Sequence, residues 1–139
     1  MLFDFSIMAI PEQIRVQKTA IDFIHKDLKP ADLVCIMIAT TGPQDIAQDF
    51  TDDKDALDAA VKKFHIGEGA DMVDNLGSGD TSDGNTFSAD QSEFDIFNVN
   101  KKLTTIETAA KVLAEFPEKK ALMYFSRASP SRAWTIRRN

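Results

Sequence analysis

The feature that constrains the fold most is a continuous apolar run from Leu33 to Ala39 (LVCIMIA). The run is too short for a typical helix and contains β-branched residues, so it predicts a strand. Because every position is apolar, we expect both faces of this strand to be covered. The run therefore predicts the central strand of a layered sheet.

The segments before this run follow a strand pattern and then a helix pattern. Leu2 to Phe5 predicts a short buried strand. The stretch between Pro11 and Pro30 predicts a helix of about 17 residues, because proline suits a first helical turn and a second proline closes the segment. Its expected core face is formed by Ile14, Ile21, Ile24 and Leu28.

The segments after the run predict a further strand and a second helix. Ile46 to Phe50 follows the turn-like sequence TTGPQD and predicts a hairpin partner or short edge strand. Asp52 and Asp53 stand where the N-cap of the second helix belongs. The apolar face of that helix is expected to consist of Leu57, Ala60, Val61 and Phe64.

A third helix and a fourth strand complete the pattern. The helix is predicted to end at Pro117 and the strand to run from Ala121 to Phe125. This order predicts a doubly wound, mostly parallel, Rossmann-like sheet, because parallel strands need crossover connections. Functional sites in such sheets lie at the carboxyl ends of the strands. The expected core face of the third helix is formed by Leu103, Ile106, Ala110 and Leu113.

Residues 66–100 differ in composition, being rich in Gly, Ser, Asp, Asn and Thr. We expect a long acidic loop there, and loops of this length are usually functional or disordered. Its many carboxylates could bind calcium, but no stretch has the residue spacing of a calcium-binding loop. Phe87, Phe94 and Phe97 either fold back onto the sheet or present an aromatic contact to a partner, and the sequence leaves both open.

Composition excludes some functions. All 22 acidic residues precede Arg127, whereas only 12 of the 16 basic ones do. An acidic body repels phosphate backbones, so we expect no nucleic-acid partner. No apolar stretch is long enough to span a membrane, and no secretion signal is recognised in the chain. The single cysteine, Cys35, lies within the central apolar run and predicts a buried, inert thiol.

Four segments of residues 1–126 carry a resemblance to a known family: LFDFSIM, PEQIRVQKTAIDFIHKDLKPADLVCIMIA, QDFTDDKDALDAAVKKF and SEFDIFNVNKKLTTIETAAKVLAEFPEKKALMYFS. They closely resemble the von Willebrand factor type A (VWA) domain, specifically its VWFA-related acidobacterial-type branch. The resemblance implies a doubly wound sheet with strand order 3-2-1-4-5-6, here truncated after the fourth strand. It also implies a secreted or cell-envelope parent protein.

Domains of this class carry a metal-ion-dependent adhesion site whose hard oxygen ligands suit Mg²⁺ or another divalent cation. Asp4 and Ser6 match the first two positions of its D-x-S-x-S stretch, but Met8 replaces the second serine. Val99 aligns with the expected threonine, and Arg127 stands where the class places an aspartate. The sequence therefore predicts a degenerate metal site. A structural interpretation, in which Asp4 and Ser6 bind backbone N–H groups of the turn, stays open.

The resemblance implies a non-enzymatic interaction domain that binds a protein or surface ligand at this rim. The expected contact residues are Met8, Asn98, Val99, Asn100 and Ser126. Two alternatives remain: a purely structural domain without metal, and a degenerate haloacid-dehalogenase-like hydrolase. The hydrolase would use a strand-end aspartate as its nucleophile, but this chain lacks the second aspartate that serves as the usual proton donor.

The resemblance stops after Ser126, and residues 127–139 (RASPSRAWTIRRN) form a basic tail. When the tail is back-translated and its reading frame is moved by two bases, the translated sequence is similar to the segment that usually follows in members of the family. Trp134 followed by Thr135 yields an aspartate codon under any codon choice. Our hypothesis is a frameshift near residue 127 that leaves a non-native tail. The alternative is a genuine basic tail that binds an acidic partner.

Overall fold

The structure, a computed structural model, describes residues 1–68, residue 70 and residues 88–127, with the backbone alone for residues 88–95. Within these ranges the chain is a mixed α/β fold with a four-stranded sheet and three helices. No helix among them has the length and apolarity needed to cross a membrane. The elements are β1 (Leu2–Asp4), α1 (Ile10–Lys26), β2 (Val34–Ala39), β3 (Asp45–Thr51), α2 (Lys54–Lys62), α3 (Ser88–Ala114) and β4 (Tyr124–Phe125).

The strands lie in the order β3-β2-β1-β4. β1 pairs in parallel with both β2 and β4, whereas β3 runs antiparallel to β2 at one edge. This arrangement confirms the mostly parallel sheet and the edge position predicted for the segment after the central run. β4 forms the other edge of the described sheet, and its register places Leu2 opposite Tyr124 and Phe3 opposite Phe125.

One face of the sheet packs against α1 and α2. Phe3 and Phe5 point to this face, are fully buried, and meet Phe64 with ring centroids 4.9 and 5.6 Å apart. Phe125 stacks on Phe3 at 4.7 Å. Burial of each such side chain contributes about 1.5–3 kcal/mol. The helices add Ala20, Ile24, Leu28, Leu57, Ala60 and Val61 to this core.

The opposite face packs against the second half of α3. Leu2, Cys35 and Met37 form a buried cluster with Ala109 of the helix. On the same face, the ring centroids of Phe50 and Phe116 lie 4.5 Å apart. The thiol of Cys35 is buried as predicted, and burial raises its pKa above the usual value. Helices therefore cover both faces of the sheet.

The predicted core faces of two helices are confirmed in part, since Ile24, Leu28 and Ile106 pack in the core, but other members are exposed. In α1, Ile14 is exposed, and Gln13 is fully buried in its place. In α3, Leu103 and Ala110 are exposed, whereas Thr105 and Ala109 face the sheet. Gln13 can be buried because its amide bonds to the backbone of residues 67 and 68, whereas the hydroxyl of Thr105 bonds to the carbonyl of Lys101 within α3.

The predicted loop over residues 66–100 is also corrected, because α3 already begins at Ser88. From Ser88 to Ala114 the sequence contains neither glycine nor proline, so nothing interrupts the helix, whereas five of the six glycines fall between residues 67 and 84. Residues 69 and 71–87 of the predicted loop lie outside the described residues, as does the tail after Arg127. β4 is shorter than predicted and starts at Tyr124.

Candidate binding site at the carboxyl ends of the strands

The turn after β1 brings the predicted site residues together. Phe5 N–H donates to the carbonyl of Ala39 at 2.8 Å, which continues the β1–β2 pairing past Asp4. The chain then turns within a few residues into α1, where the Glu12 carboxylate accepts a hydrogen bond from Ala9 N–H at 3.2 Å. A short turn fixed at both ends holds Asp4 and Ser6 at the carboxyl edge of the sheet.

Asp4 is the centre of a buried hydrogen-bond network. Its Oδ1 accepts from the hydroxyl of Ser6 at 2.5 Å and from the backbone N–H of Ser6 at 3.2 Å. Its Oδ2 accepts from the hydroxyl of Tyr124 in β4 at 2.7 Å. Only 3% of Asp4 is exposed. Both carboxylate oxygens therefore already have donors within the protein.

Tyr124 remains a neutral phenol in this network. Burial raises its pKa well above the usual value, and the hydrogen bond to Asp4 and the charge of that carboxylate raise it further. A phenol held in its protonated form is a permanent donor to Asp4. No local sequence pattern predicts this contact, because it depends on the register between β1 and β4.

The donor set was tested against a divalent cation. Magnesium needs several oxygen ligands in near-octahedral geometry. Among the residues that the structure describes, no three His, Cys, Asp or Glu side chains lie close enough to hold a metal ion. Met8 packs into the core beside α1. Asp4 and Ser6 already hydrogen-bond to each other, and Asp4 to Tyr124, so the described residues do not provide the several oxygen ligands that magnesium needs.

The predicted contact residues at the rim separate into three groups. Met8 is only 1% exposed, so its assignment as a contact residue is wrong. Val99 and Asn100 are exposed on α3, and Asn98 is half-buried there. Ser126 is half-buried just after β4. The accessible part of the rim is therefore formed mainly by α3.

A side-chain contact positions α3 over the carboxyl ends of the strands. Lys101 Nζ donates to the carbonyl of Thr40, directly after β2, at 2.7 Å. Thr105, one turn later, is buried and donates to the carbonyl of Lys101 at 2.8 Å. The 13 residues from Ser88 to Asn100 continue the helix beyond this contact, a length of about 20 Å. Neither Lys101 nor Thr105 stood out in the sequence.

Two cavities lie away from Asp4. One, of about 420 Å³, lies at the amino ends of the strands and is lined mainly by apolar side chains such as Phe23, Phe50 and Val112. The other, of about 580 Å³, lies between β3 and α2 and includes Asp45 and His65. Neither is lined by Asp4 or Ser6. Both combine residues from distant segments, so no local sequence pattern marks them.

Comparison with known proteins finds no matching family model, no similar curated protein and no similar solved structure. The mixed α/β fold with a mostly parallel sheet therefore stands on the structure alone, and the resemblance to the VWA domain stays a prediction.

Proposed function

We propose that this chain is a VWA-like, non-enzymatic interaction module that binds a protein partner at its α3 rim without needing a metal ion. The exposure of Phe97, which is 64% accessible on the part of α3 beyond the Lys101 contact, carries this proposal. Aromatic side chains dominate the binding energy of many interfaces. A surface aromatic next to a carboxyl-end rim is therefore a suitable anchor for a partner.

The neighbouring groups suit a polar border around that anchor. Asn98 and Asn100 carry amides that both donate and accept hydrogen bonds. Lys101 adds a positive charge beside the carbonyl of Thr40. An apolar centre with a polar border is the usual composition of a protein interface.

The fold supports the VWA-like part of the proposal. The strand order β3-β2-β1-β4, with an antiparallel β3 at the edge, agrees with the order that the resemblance implies. Asp4 and Ser6 also stand at the carboxyl end of β1, where the class has its metal site. In this chain they serve the network with Tyr124 instead, which supports a metal-independent mode of binding.

The structure gives less support to the degenerate hydrolase. A carboxylate nucleophile needs an oxygen free to attack and a nearby proton donor to the leaving group. Both oxygens of Asp4 accept hydrogen bonds, and Ser6 takes the place of the usual acid. The purely structural domain remains the alternative that the experiment below must separate.

A selection experiment tests the proposal. Peptides displayed on phage are selected on the immobilised full chain, and the enriched peptides are measured for affinity by fluorescence anisotropy. We expect Phe97→Ser to weaken binding at least about tenfold, a loss of about 1.4 kcal/mol. Leu33→Ser is the matched control, because Leu33 is equally exposed at the opposite end of the sheet. Binding should be unchanged by EDTA.

Three outcomes would overturn the proposal. If no peptide is enriched, the purely structural interpretation is favoured. If Leu33→Ser weakens binding and Phe97→Ser does not, the surface lies elsewhere. If EDTA abolishes binding, the interaction depends on a metal ion.

A further inference from the structure

An apolar stripe runs along α3 with the spacing of a coiled coil. Its residues are Ile96, Val99, Leu103, Ile106, Ala110 and Leu113, which follow one another at alternating intervals of three and four. This spacing corresponds to positions a and d of a heptad repeat. It continues over two and a half heptads of a helix that is long for a globular domain.

Most of this stripe faces away from the sheet. Ile96, Val99 and Leu103 are 61, 54 and 59% exposed. The fully buried residues of this part of α3 are Thr105 and Ala109, and Ile106 and Val112 also pack against the cluster on the sheet. At about 100° per residue, Ile96, Val99 and Leu103 lie about 100–160° from the direction of Thr105 and Ala109, whereas Ile106 and Leu113 lie about 60–80° from it and border the sheet. The domain itself therefore leaves the upper stripe uncovered.

The charges beside the stripe select one kind of partner. With Ile96 at position a, Lys102 is at g and Glu107 is at e. In a parallel pair of helices, g of one helix faces e of the next heptad on the other, so Lys102 meets Glu107 twice by symmetry. In an antiparallel pair, g faces g and e faces e, which brings like charges together. A second, parallel copy of α3 thus complements both the stripe and its flanking charges.

Glu107 keeps capacity for this contact. It forms an ion pair with Lys111 on its own helix through Oε1 at 2.8 Å, and its side chain is largely exposed. A carboxylate accepts bonds at both oxygens, so Oε2 is available to a lysine from another chain.

We infer that α3 pairs in parallel with α3 of a second copy of this chain, through a short coiled-coil seam centred on Leu103. The seam shares Val99 with the predicted rim, whereas Phe97, the anchor of the proposed partner site, lies about 120° from Leu103 on the same helix. Variants at Phe97 and at Leu103 therefore test the two surfaces separately.

The first test measures the mass of the full chain by light scattering after gel filtration, over a range of concentrations. The wild-type chain should have twice its monomer mass of 15.4 kDa. Leu103→Glu should return it to the monomer, whereas Thr104→Glu, on the neighbouring exposed position, should not. Phe97→Ser should leave the mass unchanged. A monomeric wild-type chain would overturn the inference, as would a Leu103→Glu chain that still dimerises.

The second test exchanges the charges and remains informative if Leu103→Glu fails to fold. Lys102→Glu alone and Glu107→Lys alone place like charges across a parallel seam, so each should dimerise at least about tenfold more weakly. Mixing the two variants restores opposite charges at both contacts, so the mixture should form heterodimers. Circular dichroism checks that each variant keeps its helix. Variants that self-associate as well as the wild type, or a mixture that stays monomeric, would overturn the parallel seam.

Discussion

The hydrogen bond between Tyr124 and Asp4 gives the most direct test of the buried network. Replacing Tyr124 by Phe removes the hydroxyl and keeps the ring, which packs beside Leu2 and Ala109. The change leaves Oδ2 of a 3% exposed carboxylate without the donor that now lies at 2.7 Å. A hydrogen bond to a charged group contributes about 1.5–3 kcal/mol. We therefore expect the free energy of unfolding to fall by about 2 kcal/mol.

Urea denaturation at neutral pH measures this loss, provided that the slope with denaturant stays constant. A double-mutant cycle with Asp4→Asn separates the bond from other effects, because Tyr124→Phe should cost less when its partner is uncharged. We expect a coupling energy of about 1 kcal/mol. A Tyr124→Phe chain as stable as the wild type, with no coupling to Asp4, would refute the network.

The same network predicts a pH dependence that can be read at a single residue. Tyr124 is the only tyrosine, so the ultraviolet absorbance of tyrosinate reports it alone. Burial and Asp4 raise its pKa in the folded chain above the value of about 10 expected after unfolding. The corresponding stabilisation is complete below about pH 10 and is lost as the pH rises towards the folded pKa. Alkaline destabilisation should therefore be weaker in Tyr124→Phe, and a phenol that titrates normally in the folded chain would contradict this.

Three further predictions concern other positions. Gln13→Ala should lower the free energy of unfolding, measured in urea, by about 3 kcal/mol, because the buried amide bonds to Met8 O, Glu68 O and Gly67 N at 2.7–3.1 Å. Gln17→Ala removes one bond to the backbone and should lower it by about 1 kcal/mol. Equal losses in the two variants would contradict the structural role of Gln13. Asp53→Ala should cost about 1 kcal/mol, because Asp53 Oδ1 caps α2 at the N–H groups of residues 55 and 56, whereas Asp52→Ala should change little. Magnesium should leave the thermal midpoint of the chain unchanged. A rise in the midpoint that Asp4→Ala abolishes would instead show that Asp4 binds the metal ion.

Local patterns predicted the elements that depend on local chemistry. The apolar run around Cys35 became β2, and Asp53 caps α2 as expected. The rotation of each helix about its axis was predicted less well, because a polar residue such as Gln13 can be buried where the pattern predicts an apolar residue such as Ile14. Gln13 is buried because the backbone of residues 67 and 68 supplies hydrogen-bond partners for its amide, and helical periodicity does not reveal these partners.

The candidate site shows the same division between local and distant information. The spacing of Asp4 and Ser6 placed both at the end of β1, and they are indeed hydrogen-bonded. Tyr124 lies 120 residues away, so its contact depends on strand register. The start of α3 was missed because polar residues around Ser88 resemble those of the preceding segment, although the glycines end before it.

The position of Asp4 also explains why β4 holds its place with so few backbone contacts. β4 pairs with only Leu2 and Phe3, and a two-residue strand contributes little pairing energy. The stacking of Phe125 on Phe3 anchors one side of the strand, and the bond from Tyr124 to Asp4 anchors the other. A cation that drew Asp4 away from Tyr124 would loosen β4 as it bound. The carboxylate therefore cannot serve a metal without weakening the sheet edge, which favours its structural role.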